Sequence, residues 1–479
     1  MDKYTKPTFC GLPTAAELRA ELTNSQGSDV RAQIALLFDE NTFVETGAFT
    51  KRGFSDFINT EKSNEFEGVI TGYGAIDGKL VFAFAEDSSR MGGAIDDRHA
   101  KKITEIYNLA LSNGAPVIGI FNSNGTDIFQ GTAALAAYGR IISAVTRASG
   151  VIPQISFVTG KCIGTTAAIA SMFDIVVKAE GAELYVSSPS LTGNENAQDA
   201  IVSYTAPLET CAAYVKSLIA FLPSNSSVKL QCSDICTDNL NRMLGNLDFA
   251  GEGLAAISVI ADNGMFYELS GAYAPAVSTV FTTIGGVKCG VVATSFAKDE
   301  GRISTDVARK IAKFINLCDS FSIPVVTLVD SCGLAIDKDN ETHFAPELAK
   351  LAMAYASSTC PKVTVINGHA IGASFVLLGS KALGADLVYA TASSEIGALV
   401  AESGVAFAWD KYISEEVTRE SLIADWKASV ASPAAAASSG EIDDIINVNE
   451  MRARICSALL MLSAKGNFSS IAHRKVLPL

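Results

Sequence analysis

Histidine is scarce in this sequence. The 479 residues contain four, His99, His343, His369 and His473. Chemistry built on a histidine base therefore has few candidates. The ten cysteines are scattered singly. The closest pair, Cys232 and Cys236, has no second pair and no histidine at ligand spacing. That argues against a metal site and for buried, reduced thiols. Positive charge is also short: 37 Lys and Arg stand against 51 Asp and Glu, a net charge of −14. A polyanionic partner such as nucleic acid is thereby disfavoured. No apolar run reaches the length of a membrane span. The most apolar stretches are interrupted, as "ASFVLLGSKALGADLVYATA" is by Lys381 and Asp386. The opening "MDKYTKPTFCG" has no apolar h-region of a secretory signal. These absences together predict a soluble cytoplasmic protein.

What is present is apolar and repetitive. Hydrophobic residues make up 48% and charged residues 18%, enough for a large core. The length fits two or three domains. "GAPVIGIFNSNG" (114–125) is echoed by "SIPVVTLVDSCG" (322–333). Pro116 and Pro324, Gly125 and Gly333, Pro153 and Pro361, Gly164 and Gly372 are all 208 positions apart. Upstream, "HAKKITEIYNLAL" (99–111) matches "VARKIAKFINLCD" (307–319) in the same register. Fixed spacing over so many residues indicates a duplicated domain.

Each copy predicts the same elements. A helix carries apolar positions three and four apart (Ile103, Ile106, Leu109, Ala110; then Ile311, Phe314, Leu317, Cys318) and ends before a proline. A short apolar strand follows, "VIGIF" or "VVTLV", then a glycine-containing loop, a second helix and a second strand, "QISFV" or "KVTVI". Alternating helices and continuous apolar strands imply a layered α/β domain covered on both faces. "FLPSNSS" (221–227) is a plausible link between copies. Pro433 marks a helix start and Gly440 lies past that helix's end, and an amphipathic helix fits Met451 to Leu462.

The second strand of each copy runs into a turn, "CIGTTAAIA" or "AIGASFVLL", that opens a helix of small residues. N–H groups at a helix start lack intrahelical partners and carry partial positive charge. Small residues at Gly164–Thr165 and Gly372–Ala373 let a ligand oxygen approach such groups, as in an oxyanion hole. The alternative is that these residues only allow close packing of helix on strand.

At this point the chain resembles a known family. "GVITGYGAIDGKLVFAFAED" (68–87), "MGGAIDDRHAKKI" (91–103), "GVIPQISFVTGKCIG" (150–164), "FLPSN", "KIAKFINLCDSFSIPVVTLVDSCG" (310–333), "CPKVTVINGHAIGA" (360–373) and "GEIDDIINVNEMRARICSALLML" (440–462) are similar to the carboxyltransferase component of biotin-dependent acyl-CoA carboxylases and methylmalonyl-CoA decarboxylases. The resemblance implies two tandem crotonase-like (ClpP/crotonase) α/β domains, each a ββα superhelix. The division would fall at 1–222, the acyl-CoA side, and 223–479, the biotin side. Gly164 and Thr165 would hold the thioester oxygen as an enolate forms, and Gly372 and Ala373 the ureido oxygen of biotin. Met91, Gly92, Gly93, Ser123, Gly125 and Ile163 would contact the acyl-CoA. Gly333, Ile371 and Val376 are carried over as contacts on the biotin side. Such enzymes place both ligands at a dimer interface, commonly within a trimer of dimers, and need neither a metal nor a side-chain base at the transfer step. That fits the scarcity of histidine. The chain has no biotin-attachment lysine in an Ala-Met-Lys-Met context and no ATP-grasp region. Biotin would therefore arrive on a separate carrier protein, and biotin carboxylase or membrane decarboxylase subunits would be further partners. The segment "SKALGADLVYA" (380–390) looks more like the decarboxylase branch.

The pattern also departs from the family. The second turn residues are Thr165 and Ala373 where two glycines are usual, and Thr165 is expected to crowd its site. "SNGTD" (123–127) stands in place of a loop ending in arginine. The chain is short between Pro189 and Phe221. Val376 occupies an acyl-pocket position where many relatives carry aspartate. These departures motivate two alternatives: a non-catalytic scaffold in the same complex, and a crotonase-type hydratase or isomerase. The latter needs carboxylates near the first turn, for which Glu183 and Glu195 are expected to be surface charges instead. Asp330 is expected to cap a loop, and His369 to cap or pack beside the second turn.

Overall fold

The computed structural model describes residues 14–24, 28–52, 65–193, 200–228, 236, 238–244 and 251–465. Cys10, Cys232, Glu195 and His473 lie outside the described residues. Two eight-stranded sheets form the frame. The first contains β1 (Val44–Thr46), β2 (Val69–Ile76), β3 (Lys79–Glu86), β4 (Val117–Ser123), β5 (Gln154–Ile163), β6 (Ile175–Ala179), β7 (Glu183–Tyr185) and β8 (Tyr204–Ala206). Its order is β1-β2-β3-β4-β5-β6-β8, with β7 paired to the end of β5. The second contains β9 (Phe266–Leu269), β10 (Val277–Ile284), β11 (Val287–Thr294), β12 (Val325–Ser331), β13 (Lys362–Ile371), β14 (Leu387–Thr391), β15 (Glu395–Gly397) and β16 (Asp444–Ile446). Its order is β16-β14-β13-β12-β11-β10-β9, with β15 on β13.

The repeat seen in the sequence is the repeat of the fold. The bounds of β2, β3, β4 and β5 recur 208 positions later in β10, β11, β12 and β13. β6 recurs after 212 positions and β8 after 240. The additional residues of the second copy therefore lie mostly between β15 and β16. They carry the helices Arg419–Ser429 and Pro433–Ser438, whereas Ala401–Gly404 repeats the first-copy helix Pro189–Thr192 at the offset of 212.

Local sequence explains the main elements. The central strands are buried on both faces, which is why they read as unbroken apolar runs. The antiparallel hairpins β2–β3 and β10–β11 were not expected from periodicity. Their signal was the turn chemistry: Asp77–Gly78 (φ 47° and 73°) and Gly285–Gly286 (φ 60° and 79°) supply two consecutive left-handed residues. Helices Asp97–Asn113 and Thr305–Ser320 start at Asp96 and Ser304, whose side chains accept the N–H of His99 and Val307. Ile103, Ile106, Ala110, Ile311, Phe314, Leu317 and Cys318 are buried as expected. Leu109 is not: it is 43% exposed, because the buried stripe of its helix runs through Ile103, Ile106, Tyr107 and Ala110. Strands β5 and β13 extend to the turns themselves, five residues beyond the apolar runs that revealed them. Helices Pro433–Ser438 and Met451–Leu462 fall where expected. Eight described cysteines are free, six of them buried.

One helix joins the two sheets. Leu208–Phe221 follows β8 and shares a core with the second copy, where Phe221 stacks on Phe281 at 5.0 Å. The Tyr214 hydroxyl donates to the Glu268 carbonyl at 2.6 Å. The last carbonyls of this helix accept from a lysine of each sheet. Lys79 Nζ reaches Ile219, Ala220 and Leu222 at 3.0, 3.0 and 3.2 Å. Lys288 Nζ reaches Ala220 and Phe221 at 2.9 and 3.1 Å. Cations there satisfy orphan carbonyls and complement the helix dipole.

The closing helix Met451–Leu462 is fastened through Arg452, which is fully buried. Its guanidinium donates to the carbonyls of Asn239 (2.6 Å) and Ile260 (3.2 Å) and pairs with Asp262 and Asp238. Asp262 also accepts the N–H groups of Gly285 and Gly286, both at 2.8 Å. Burial alone would raise the Asp262 pKa; these N–H groups and Arg452 outweigh it and hold the carboxyl below its usual range. Its stabilising contribution is present above the usual carboxylate pKa and is lost as pH falls through the depressed one. Removing one partner of a buried pair typically costs about 3–5 kcal/mol. Arg452→Ala is therefore expected to lower the first thermal unfolding midpoint clearly, followed by circular dichroism at pH 7, and to leave a weaker acid dependence than the parent.

Candidate active site

The two turns have the same backbone conformation. Gly164 sits at φ 64°, ψ −132° and Gly372 at φ 59°, ψ −129°. Only glycine adopts that region without strain. Neither helix start has a side-chain cap. The two glycine N–H groups are already used: Gly164 donates to the Tyr185 carbonyl at 3.0 Å and Gly372 to Gly397 at 2.8 Å. These bonds continue the pairing of β5 with β7 and of β13 with β15. The uncommitted donors therefore begin at Thr165 and Ala373, the first residues of each helix, whose N–H groups have no intrahelical acceptor. Thr165 is exposed and Ala373 half-buried. A Cβ placed on Gly164 would meet nothing within 4 Å, so the space before the first turn is open.

A second loop stands beside each turn. Met91, Gly92 and Gly93 all have positive φ, as do Asp299, Glu300 and Gly301 at the matching places. The first of these loops is tied to the end of β4. Asn124 N–H donates to the Gly92 carbonyl (2.9 Å) and Ser123 Oγ to the Gly93 carbonyl (2.7 Å). Gly125 N–H donates to Ser123 Oγ at 3.0 Å. Ser123 pairs with Cys162 across the sheet, one residue before Ile163. Met91, Gly92, Gly93, Ser123, Gly125 and Ile163 thus gather around the first turn.

The second turn opens on a cavity of about 860 Å³. Gly333, Ile371, Gly372 and Ala373 line it, as do Phe296, His369, Cys332, Leu399 and Lys427. Leu399, Val400, Glu402, Ser403 and Lys427, all between β15 and β16, build its outer wall. Val376 does not line this cavity; it is 46% exposed on the helix Ala373–Leu377.

A duplicated sheet with a glycine turn in each copy matches a known family along almost the whole chain. The family model described as carboxyl transferase domain matches residues 23–199 and again 197–477. The chain belongs to the carboxyl transferase domain family. It is 34% identical to the methylmalonyl-CoA decarboxylase subunit alpha of Veillonella parvula, over 94% of this chain and 93% of that one. It is 31% identical to the propionyl-CoA carboxylase beta chain of Saccharopolyspora erythraea, over 91% and 87%. Among solved structures it is similar to the transcarboxylase 12S hexamer with methylmalonyl-coenzyme A and methylmalonic acid bound. That match has a TM-score of 0.85 and 28% identity, and covers 96% of this chain and 95% of the other.

Several residues of this carboxyl transferase chain were not singled out by its sequence. Beneath the first loop lies a buried charged group. Arg52 pairs with Asp127 at 2.9 Å and with Glu67 at 3.7 Å. The fully buried His99 lies between Glu67 (3.5 Å) and Glu86 (3.9 Å). Asp127, where the family pattern has arginine, therefore serves as the acceptor for Arg52 and for the Phe129 N–H. Burial pushes the Glu86 pKa up to about 8, although the Asn122 N–H it accepts pulls the other way. Glu183 is partly exposed on β7, where it accepts the Tyr185 hydroxyl at 2.6 Å.

At the second turn, Asp330 Oδ1 accepts both the His369 N–H (2.9 Å) and ring Nδ1 (2.8 Å). The loop and packing roles expected of this pair are thus one arrangement. Gly368 makes room for it, since a Cβ there would lie 2.3 Å from the Asp330 carboxyl. The His369 pKa is raised, first by the Asp330 hydrogen bond, against the opposing effect of burial. Stability from this pair is complete below the unfolded histidine pKa and is lost as pH rises through the folded one. Asp330→Asn is expected to bring the His369 pKa down towards the value of a free histidine. The check is an NMR titration of the histidine ring carbons, with His369→Gln assigning the signal.

Proposed function

We propose that this chain is the carboxyltransferase component of a biotin-dependent complex. It moves a carboxyl group between biotin and a short-chain acyl-CoA: acetyl- or propionyl-CoA to malonyl- or methylmalonyl-CoA, or the reverse. The observation that carries the reading is the pair of glycine turns. Each has its glycine N–H committed to a neighbouring strand and its next N–H at a helix start with no intrahelical acceptor, so each offers a donor for a developing oxyanion. Such a donor is typically worth about a hundred- to thousandfold in rate.

The division of labour follows from what surrounds each turn. Thr165 stands before open space bordered by the Met91–Gly93 and Ser123–Gly125 loops, and it receives the thioester oxygen of a large CoA ester. Ala373 stands in the cavity of about 860 Å³, within the range that encloses small ligands, and it receives the ureido oxygen of biotin. We assign residues 1–222 to the acyl-CoA side and 223–479 to the biotin side on this basis. Stabilising one oxyanion at each turn and excluding water suffices for the protein's part in the transfer. Biotin arrives on a carrier protein in the cytoplasm, with biotin carboxylase or membrane decarboxylase subunits as the source or sink of the carboxyl group. No described helix is long and apolar enough to cross a membrane.

The chain works as a dimer, and as a trimer of such dimers. Large apolar side chains are exposed in both copies: Ile128 (77% exposed) and Leu191 (84%) in the first, Ile336 and Phe407 (each 87%) in the second. Phe407→Asp is expected to give a smaller particle in light scattering than the parent chain.

Activity is read as biotin-dependent release of acyl-CoA from malonyl-CoA or methylmalonyl-CoA. Gly164→Pro and Gly372→Pro are each expected to lower turnover at least about a hundredfold, since proline cannot adopt the φ of either glycine. Release that does not need biotin, or none from a folded oligomer, would overturn the proposal. The faster substrate names the acyl class.

A further inference from the structure

The duplication supplies an internal control for the residues around the second turn. Asp330 and His369 correspond to Asn122 and Lys161 in the first copy, and Phe296 to Ser88, each 208 positions earlier. In the first copy Asn122 Oδ1 accepts the Lys161 N–H at 3.2 Å, and its amide donates to Ser88 Oγ at 2.9 Å. The shared structural task, tying strand to loop through one backbone N–H, is thus done by asparagine and lysine. The second copy keeps that bond and adds a ring. The His369 imidazole is held edge-on by Asp330 and lies flat on Phe296, with centroids 4.5 Å apart and planes at 19°. Three substitutions together build a fixed imidazole that strand-to-loop tying does not require.

That imidazole lines the cavity in which Ala373 stands, and its side chain is 33% exposed. With Nδ1 committed to Asp330, the ring presents Nε2 as its remaining polar atom. Two further charged pairs line the cavity. Glu395 on β15 pairs with Lys427 at 3.0 Å, and Glu300 with Arg302 at 2.6 Å. Cys332 remains a thiol, its pKa pushed up to about 11, mainly by burial. Glu402 lies on the exposed side of the wall. Asp330 and, more weakly, Glu395 favour the protonated ring; burial and Lys427 oppose it.

Resting on the carboxyl-transfer reading, we propose that His369, positioned by Asp330 and Phe296, donates Nε2–H to the carboxylate that biotin carries, while Ala373 N–H takes the ureido oxygen. The site thereby distinguishes carboxylated from uncarboxylated biotin. A charge-assisted bond of this kind is worth roughly ten- to hundredfold in affinity.

The test is calorimetric binding of two neutral-tailed probes to the full chain. One is biotin methyl ester; the other is the same ester with a hydrolysis-resistant carboxymethyl group on its ureido nitrogen. The parent is expected to bind the second more tightly, and His369→Gln to lose at least about tenfold for it with little change for the first. Asp330→Asn is expected to behave similarly and to shift the pH limb of that preference downward. A folded His369→Gln chain with the preference intact, or a parent chain with none, overturns the assignment. Biotin-dependent release of acyl-CoA is measured in parallel. Release with no dependence of binding on His369 sinks this site and keeps the carboxyl-transfer reading. A His369-dependent preference without release does the opposite.

Discussion

The architecture around each turn depends on a single hydrogen bond, from a glycine N–H to a carbonyl on a three-residue strand. Gly164 is tied to Tyr185 in this way and Gly372 to Gly397. A strand normally ends where its pairing ends. Here β5 and β13 leave one neighbour, pass an irregular register and take another, so the chain stays fixed up to the residue that starts the helix. The backbone reversal is then absorbed by one residue at positive φ. The next N–H is left with a fixed direction and no internal acceptor. Rigidity at that point matters more than the identity of the following side chain, which explains how Thr165 and Ala373 can fill equivalent places.

Much of this was legible in the sequence because the duplication marks it. Glycines and prolines recurring at one spacing located the turns, and apolar runs located the central strands. The hairpins escaped, although Asp77–Gly78 carried the signal, because their strands lack clean alternation when both faces are buried. Leu109 was misplaced because apolar residues at helical spacing do not show which edge of a stripe faces the core. The buried ion pairs were not visible at all. Arg52 meets Asp127 and Arg452 meets Asp262 across long sequence separations, and a charged residue in a sequence ordinarily belongs to the surface. The His369–Asp330 contact joins two strands 39 residues apart, and the sequence offers only a loop cap at Asp330 and a capping or packing residue at His369.

The two copies have diverged by insertion rather than by change of frame. The strands that present the turns keep their spacing, whereas the segment between β15 and β16 has grown and encloses the second turn. A Cβ on Gly164, at the first turn, would meet nothing within 4 Å, whereas the second turn stands in a lined cavity.

The helix Leu208–Phe221 ends on two ammonium groups, one from each sheet. A rotation of one sheet against the other by a few degrees would draw one lysine away from carbonyls that the other still holds. Each sheet is thus tied by its own lysine to the same helix end, which works as a shared clasp between the two copies.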